Sequence, residues 1–174
     1  LEVDLAEARR WGGYAAGLLA KLESSPAAMR APEALRRFAS KAENEGQVAD
    51  ALRLAAAALA IDFADETARS QLIALRKSAG DLQGALAALE DRVRLHPLDV
   101  QVRLESAALY VSADRFEEAA KEVEEAAAIA PQDERPIAEL GRIRLRQGDR
   151  QKALALFGRA LELNPNLVDL RKYV

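Results

Sequence analysis

The sequence predicts an all-α fold of antiparallel helix pairs stacked in series, and three observations predict it. Half of the 174 residues are hydrophobic while only 5% are aromatic, so alanine supplies much of the apolar content. Alanine is the best helix former and lets neighbouring helices approach closely. The second observation is periodicity. Pro97, Pro131 and Pro165 recur at one constant interval, and so do Asp65, Asp99 and Asp133, and Ala51, Ala85, Ala119 and Ala153. Gly46, Gly80 and Gly148 share the spacing, with Asp114 in the remaining slot. The third is that each interval holds two stretches with apolar residues three and four apart, the mark of an amphipathic helix.

At the beginning of the chain, Val3 to Trp11 and Tyr14 to Leu22 are expected to be two short helices around Gly12–Gly13, and Gly12 precedes Gly46 by the same interval. Residues 1–31 are expected to be an N-terminal helical cap or degenerate repeat, with Trp11, Leu18, Leu19 and Leu22 covering the first regular unit, because a terminal unit must shield the apolar face of a stack. Ser24–Ser25–Pro26 to Pro32 is the only linker-like segment. Four units follow without a gap, at 32–65, 66–99, 100–133 and 134–167, each of two helices. In the last, Glu134 to Gln147 is one helix, with Ile137, Leu140, Gly141 and Ile143 on its buried side. Gly148 ends it, and Asp149 can cap the next helix through its side-chain oxygen. That second helix carries the stripe Ala153, Leu154, Phe157, Ala160 and Leu161, and Asn164–Pro165 ends it. Residues 168–174 begin a C-terminal capping helix. The chain opens on Leu1 rather than Met, and is read as a piece of a longer protein.

This pattern resembles the tetratricopeptide repeat, a helix–turn–helix unit of matching period with small residues where its two helices cross. Leu140–Gly141, Ala153, Phe157, Ala160 and Pro165 occupy the family's signature positions in unit four, and Tyr110, Ala119, Val123, Ala126 and Pro131 do so in unit three. Unit two matches through Leu72, Ala85, Leu89 and Pro97, and unit one through Phe38, Gly46, Ala51 and Ala58. The resemblance implies a right-handed α-α superhelix. Departures are informative. Phe63 stands where the first closing proline belongs, and Arg92 where alanine is usual. A buried guanidinium would be costly, so the Arg92 stem is expected to lie along a groove while its head reaches water. Arg76 and Arg144 replace the usual first-helix tyrosine and are expected to do likewise.

The resemblance also implies where a partner would sit. The first helix of each unit lines the concave surface through its second, fifth, sixth, ninth, twelfth and thirteenth positions. These are Glu33, Arg36, Arg37, Ser40, Glu43 and Asn44 in unit one, and Thr67, Ser70, Gln71, Ala74, Lys77 and Ser78 in unit two. They are Gln101, Leu104, Glu105, Ala108, Val111 and Ser112 in unit three, and Arg135, Ala138, Glu139, Arg142, Leu145 and Arg146 in unit four. Leu104, Ala108, Val111, Ala138 and Leu145 would form an apolar strip, a candidate contact on an otherwise wet surface. Beside it Arg135, Arg142 and Arg146 share one helix side, and arginine suits carboxylates because its planar fork donates two hydrogen bonds. The expected ligand is a peptide or helix with an apolar anchor and nearby acidic residues. The opposing reading is that Leu104, Val111 and Leu145 pack against neighbouring helices and the arginines are merely solvated. Some family members grip acidic chaperone tails with a lysine–asparagine–lysine clamp. Here the equivalent slots hold Arg36, Ser40, Gln71, Gln101 and Glu105, and that activity is not expected.

Composition narrows the function further. The net charge is −3, with 25 basic and 28 acidic residues, and a general nucleic-acid grip needs a basic field. The absence of cysteine excludes disulfides and thiolate metal sites but leaves cytoplasm and periplasm both open. No apolar run approaches the roughly 20 residues that span a bilayer. His96 stands alone before Pro97, and nucleophile elbows, phosphate loops and paired-histidine zinc motifs are absent. No catalytic residue, metal or cofactor is therefore expected. Glu117, Glu118, Glu122, Glu124 and Glu125 read as a solvated helix face with Lys121 and Arg115 as local partners. The leading reading is a bacterial protein–protein interaction scaffold. The alternative is a structural spacer or oligomerisation segment of a larger envelope or secretion protein, with self-association through helix edges.

Overall fold

The computed structural model describes residues 31–174, and those residues form nine helices and no strand. The helices are α1 (Ala31–Asn44), α2 (Val48–Ile61), α3 (Glu66–Ser78), α4 (Leu82–Leu95), α5 (Val100–Ser112), α6 (Phe116–Ile129), α7 (Glu134–Arg146), α8 (Arg150–Leu163) and the short α9 (Val168–Arg171). The expected cap built on Trp11, Leu18, Leu19 and Leu22, and the segment from Ser24 to Arg30, lie outside the described residues.

The periodic residues of the sequence turn out to be the residues that start and stop helices. Asp65, Asp99 and Asp133 are the N-caps of α3, α5 and α7, and their carboxylates accept from the amides of Ala68, of Gln101 and Val102, and of Arg135. Each satisfies donors that the first helical turn leaves orphaned. Asp149 caps α8 through the Lys152 amide in the same way. The glycine phase marks the other end. Gly46, Gly80 and Gly148 have φ of 76°, 76° and 85°. At each, the next amide reaches back five residues, as in Gln47 N to Ala42 O at 2.8 Å and Asp149 N to Arg144 O at 2.9 Å, the closure of a Schellman turn. Asp114 adopts φ 56° in the fourth copy of this turn, with Arg115 N on Tyr110 O at 2.9 Å.

The described residues divide into two compact units, up to Ala85 and from Leu86 onward. In the first, α1 packs on α2 and α2 on α3, around a core of Leu35, Ala39, Ala51, Leu54, Ala55, Ala58, Ala68, Leu72 and Leu75. In the second, α5 packs on α6, α6 on α7, α7 on α8 and α8 on α9. Ile137, Ala138, Ala153, Phe157, Ala160 and Leu170 form its C-terminal core, and the Tyr173 ring lies 5.1 Å from that of Phe157. The α7–α8 crossing is close because Gly141 has no side chain: a Cβ there would stand 2.5 Å from Phe157 Cε1. Pro136 and Ala138 are buried with Ile137, Gly141 and Ile143, while Leu140 is half-buried.

A second motif runs at the repeat period. Arg69, Arg103 and Arg171 each donate to the carbonyl six residues earlier, on Phe63, Pro97 and Pro165. The guanidinium thus braces the turn that leads into its own helix. Arg69 is only 1% exposed, and its charge lies over the Phe63 ring, 4.6 Å from the centroid, beside Glu66. Arg103 is met by Glu122 at 2.9 Å and by Glu125. These contacts offset part of the cost of burying a guanidinium, although the buried Arg69 Nε makes no hydrogen bond.

Candidate partner-binding cleft

Most of the first-helix residues expected at a concave surface line two clefts, one in each compact unit, while Asn44, Ala74, Lys77 and Ser78 line neither. In the first unit, Glu33, Arg36, Arg37, Ser40 and Glu43 of α1 face Thr67, Ser70 and Gln71 of α3 across a depression of about 500 Å³. Its polar groups are largely spoken for. Arg36 pairs with Asp65 at 3.0 Å and Arg37 with Glu33 at 2.9 Å. The Gln71 amide donates to Arg36 O and to Ser40 Oγ. With Arg36 held by Asp65, little in this cleft is free to grip an anion.

The second cleft is larger, about 660 Å³, and lies between α5 and α7. Gln101, Leu104, Glu105, Ala107, Ala108, Val111 and Ser112 line one wall, and Arg135, Ala138, Glu139, Arg142, Ile143 and Arg146 the other, with Leu167 at one margin. Leu104 and Val111 are half-buried and Ala108 exposed, so an apolar surface remains for a ligand to cover. Ala138 departs from the expected strip. It is 3% exposed and belongs to the core with Ile137 and Phe157, so it contributes floor rather than contact surface. Leu145 also departs: it packs against that core and does not line the cleft. One turn of a helix has room for few outward positions, and residues 138 and 145 fall toward the core that α7 shares with α8 and α9.

The charged groups of this cleft are mostly paired. Glu105 accepts from Arg92 on α4 and from Gln101. The Arg92 head therefore ends on a carboxylate rather than in water, which corrects the expectation for that residue. Arg76 and Arg144 behave alike: Arg76 donates to Gly84 O, and Arg144 to Glu124 and Gln147 at 2.9 Å. The acidic run on α6 is correspondingly more than a solvated face. Glu122 and Glu125 hold Arg103, Glu124 holds Arg144, Glu117 accepts from Gln147, and Glu118 alone takes the expected local partner, Arg115.

Tyr110, on the far side of α5 from the cleft-lining positions, is 6% exposed and donates to Glu90 at 2.9 Å, with the Arg115 guanidinium over its ring. Burial first, and then the hydrogen bond to Glu90, push its hydroxyl up to about 12. Among the described residues no group of three or more histidines, cysteines or carboxylates is placed to hold a metal ion, and no helix is long and apolar enough to cross a membrane. His96 is an exposed residue of the turn between α4 and α5.

Comparison with known proteins bears on the repeat directly. Tetratricopeptide repeat models match residues 76–141 and 137–167, together more than half of the chain. The chain is a tetratricopeptide repeat protein. Solved structures with the same fold include a MamA protein, with TM-score 0.67 and 15% identity over 83% of this chain and 79% of that one. A tetratricopeptide repeat protein from Parabacteroides merdae gives TM-score 0.69 and 19% identity over 83% of this chain, which spans 57% of its length. YrrB, described as a tetratricopeptide repeat protein with an unusual peptide-binding site, gives 0.58 and 17% over 80% of this chain and 72% of that one. At these identities the likeness is one of fold. No curated protein matches in sequence. The tetratricopeptide period explains why α3, α5, α7 and α9 begin at evenly spaced positions, Glu66, Val100, Glu134 and Val168.

Sequence reasoning missed three lining residues. Ala107 and Ile143 are buried positions whose edges reach the cleft, and helical phase alone assigns them to the core. Leu167 is the last residue of the fourth interval, and counting alone gives it no role. A signal for it exists, because a helix starting at Val168 places its N-cap at the cleft margin beside α7.

Proposed function

We propose that this protein is an interaction scaffold that holds a segment of a partner protein in the cleft between α5 and α7. The supporting observation is convergence: Leu104, Ala108 and Val111 of α5 share one lining with Arg142 and Arg146 of α7. Half-buried apolar side chains beside arginines suit a peptide or helix with an apolar anchor and an acidic group. Arg135 and Glu105 line the same cleft as orienting polar groups, and Arg36, Arg37 and Gln71 line the separate polar cleft of the first unit. A peptide-binding site in YrrB, a protein of the same fold, is consistent with this use of the repeat. The repeats are taken as 32–65, 66–99, 100–133 and 134–167. No catalytic residue is needed, since a fold acquires chemistry only where a site supplies it.

The test is affinity capture from a bacterial lysate with the chain as bait, beside a Leu104→Glu plus Arg146→Glu version whose helicity is checked by circular dichroism. Leu104 is half-buried and Arg146 exposed, so neither substitution enters the fully buried core. A partner caught by the first and lost by the second supports the cleft. A partner held equally by both contradicts it.

A further inference from the structure

Three arginines stand on the α7 wall of the cleft, but their charges are not equally available. Arg135 is held by its own N-cap, Asp133, at 2.7 Å, and reaches Gln101 at 3.3 Å. Arg142 is held by Glu139 and, from α9, by Asp169 at 2.7 Å. Arg146 lines the same cleft, is exposed, and has no hydrogen-bond or ion-pair partner among the described residues. The cleft carboxylates are engaged too, Glu105 by Arg92 and Glu139 by Arg142.

We infer that the cleft reads a single carboxylate, that Arg146 reads it, and that Asp169 keeps Arg142 out of recognition. This rests on the reading of the cleft as a partner groove. The occupant is a peptide segment of a partner protein, with an apolar side chain set on Leu104, Ala108 and Val111 and one acidic group beside it. Charge complementarity selects that occupant. A ligand carboxylate approaching Arg142 must displace Glu139 and Asp169, so it exchanges one exposed ion pair for another and gains little. A carboxylate approaching Arg146 displaces only water and completes a charge-assisted, bidentate bond. Three acidic groups would leave two without a free cation and next to Glu105, Glu139 and Asp169, an arrangement that like charges disfavour.

Asp169 is the control point. It sits on α9 at the place that Gln101 holds on α5 and Arg135 on α7, one repeat period further on. Without its charge, Arg142 would keep only Glu139, its neighbour on the same helix. The cleft would then present a second cation one helical turn from Arg146, and a second acidic residue in the ligand would become favourable.

The experiment is selection from a randomised peptide library, with free and with amidated C-termini, on the immobilised chain and on its Arg146→Gln, Arg142→Gln, Asp169→Asn and Leu104→Glu variants, all checked for helicity. The chain should enrich peptides with an apolar residue near one Asp, Glu or terminal carboxylate, and the amidated set tells side chain from terminus. Arg146→Gln should weaken the selected peptide about tenfold, Arg142→Gln by no more than about twofold, and Asp169→Asn should shift enrichment to two acidic residues. A Leu104-sensitive peptide that ignores Arg146→Gln, or that loses as much on Arg142→Gln, overturns this inference alone. Failure to enrich any peptide sensitive to Leu104→Glu overturns the reading of the cleft and the inference with it.

Discussion

Gly141 and Phe157 meet backbone to ring where α7 crosses α8, so closely that a Cβ on residue 141 would overlap the ring. Phe157 is fully buried, and its ring is confined by Ala153, Ala160 and Tyr173. Gly141→Ala gains helix propensity of about 1 kcal/mol but overpacks a full core, which costs about 1–3 kcal/mol. The expected outcome is a net loss of stability of about 1 kcal/mol in urea unfolding. Gly158→Ala on α8, where a Cβ meets nothing, should instead gain.

Asp114 holds a left-handed turn that glycine holds in the other three copies. A side chain in that region carries a backbone cost of about 1 kcal/mol, and no hydrogen bond or ion pair of the Asp114 side chain among the described residues offsets it. Asp114→Gly should therefore raise the unfolding midpoint, by the equivalent of up to about 1 kcal/mol. A fall would show that the carboxylate does something the turn geometry does not require.

Tyr110 titrates above an ordinary tyrosine. Its folded value, about 12, exceeds the unfolded value near 10. Its contribution is therefore complete below about pH 10 and lost as pH rises toward 12. Ultraviolet titration should show one tyrosine ionising near 12, and that step should vanish in Tyr110→Phe. The same variant loses a hydrogen bond to a carboxylate and should cost about 1–2 kcal/mol at neutral pH.

The acid limb depends on other groups. Asp133 is held below the ordinary carboxylate range first by Arg135, Asp149 by Lys152, and Asp169 by Arg142. Depressed folded values mean stability that is present above about pH 4 and lost as pH falls through each folded value. Asp133→Asn and Asp149→Asn should lower the unfolding midpoint at pH 7, and the gap to the unsubstituted chain should narrow steadily below about pH 4. Asparagine also caps helices, so the neutral-pH loss isolates the charge.

Helix placement was legible in the sequence because punctuation repeats more faithfully than core composition. An aspartate cap, a glycine in a left-handed turn and a closing proline each answer a local backbone requirement that recurs once per repeat. The cleft was legible for the same reason: once α5 and α7 start at equivalent positions, Leu104 and Arg142 have nowhere else to face. Side-chain pairing was not. The Arg92 to Glu105 and Arg142 to Asp169 bonds join different helices, and the reach of an arginine is not fixed by its phase on a helix. The bracing series of Arg69, Arg103 and Arg171 is in phase and could have been found, but Ile137 interrupts it. Ala138 sinks to the cleft floor and Leu145 leaves the lining because an apolar residue at a groove position satisfies the core equally well.

The most direct test of the cleft as the partner site is photo-crosslinking from single positions. A photoreactive residue at Ala108, exposed in the cleft wall, is compared with one at Ala128, exposed on α6 and outside the cleft lining. A partner adduct should form from position 108, be abolished by Leu104→Glu, and be missing from position 128. An adduct from position 128 with none from position 108 would contradict the cleft as the binding site.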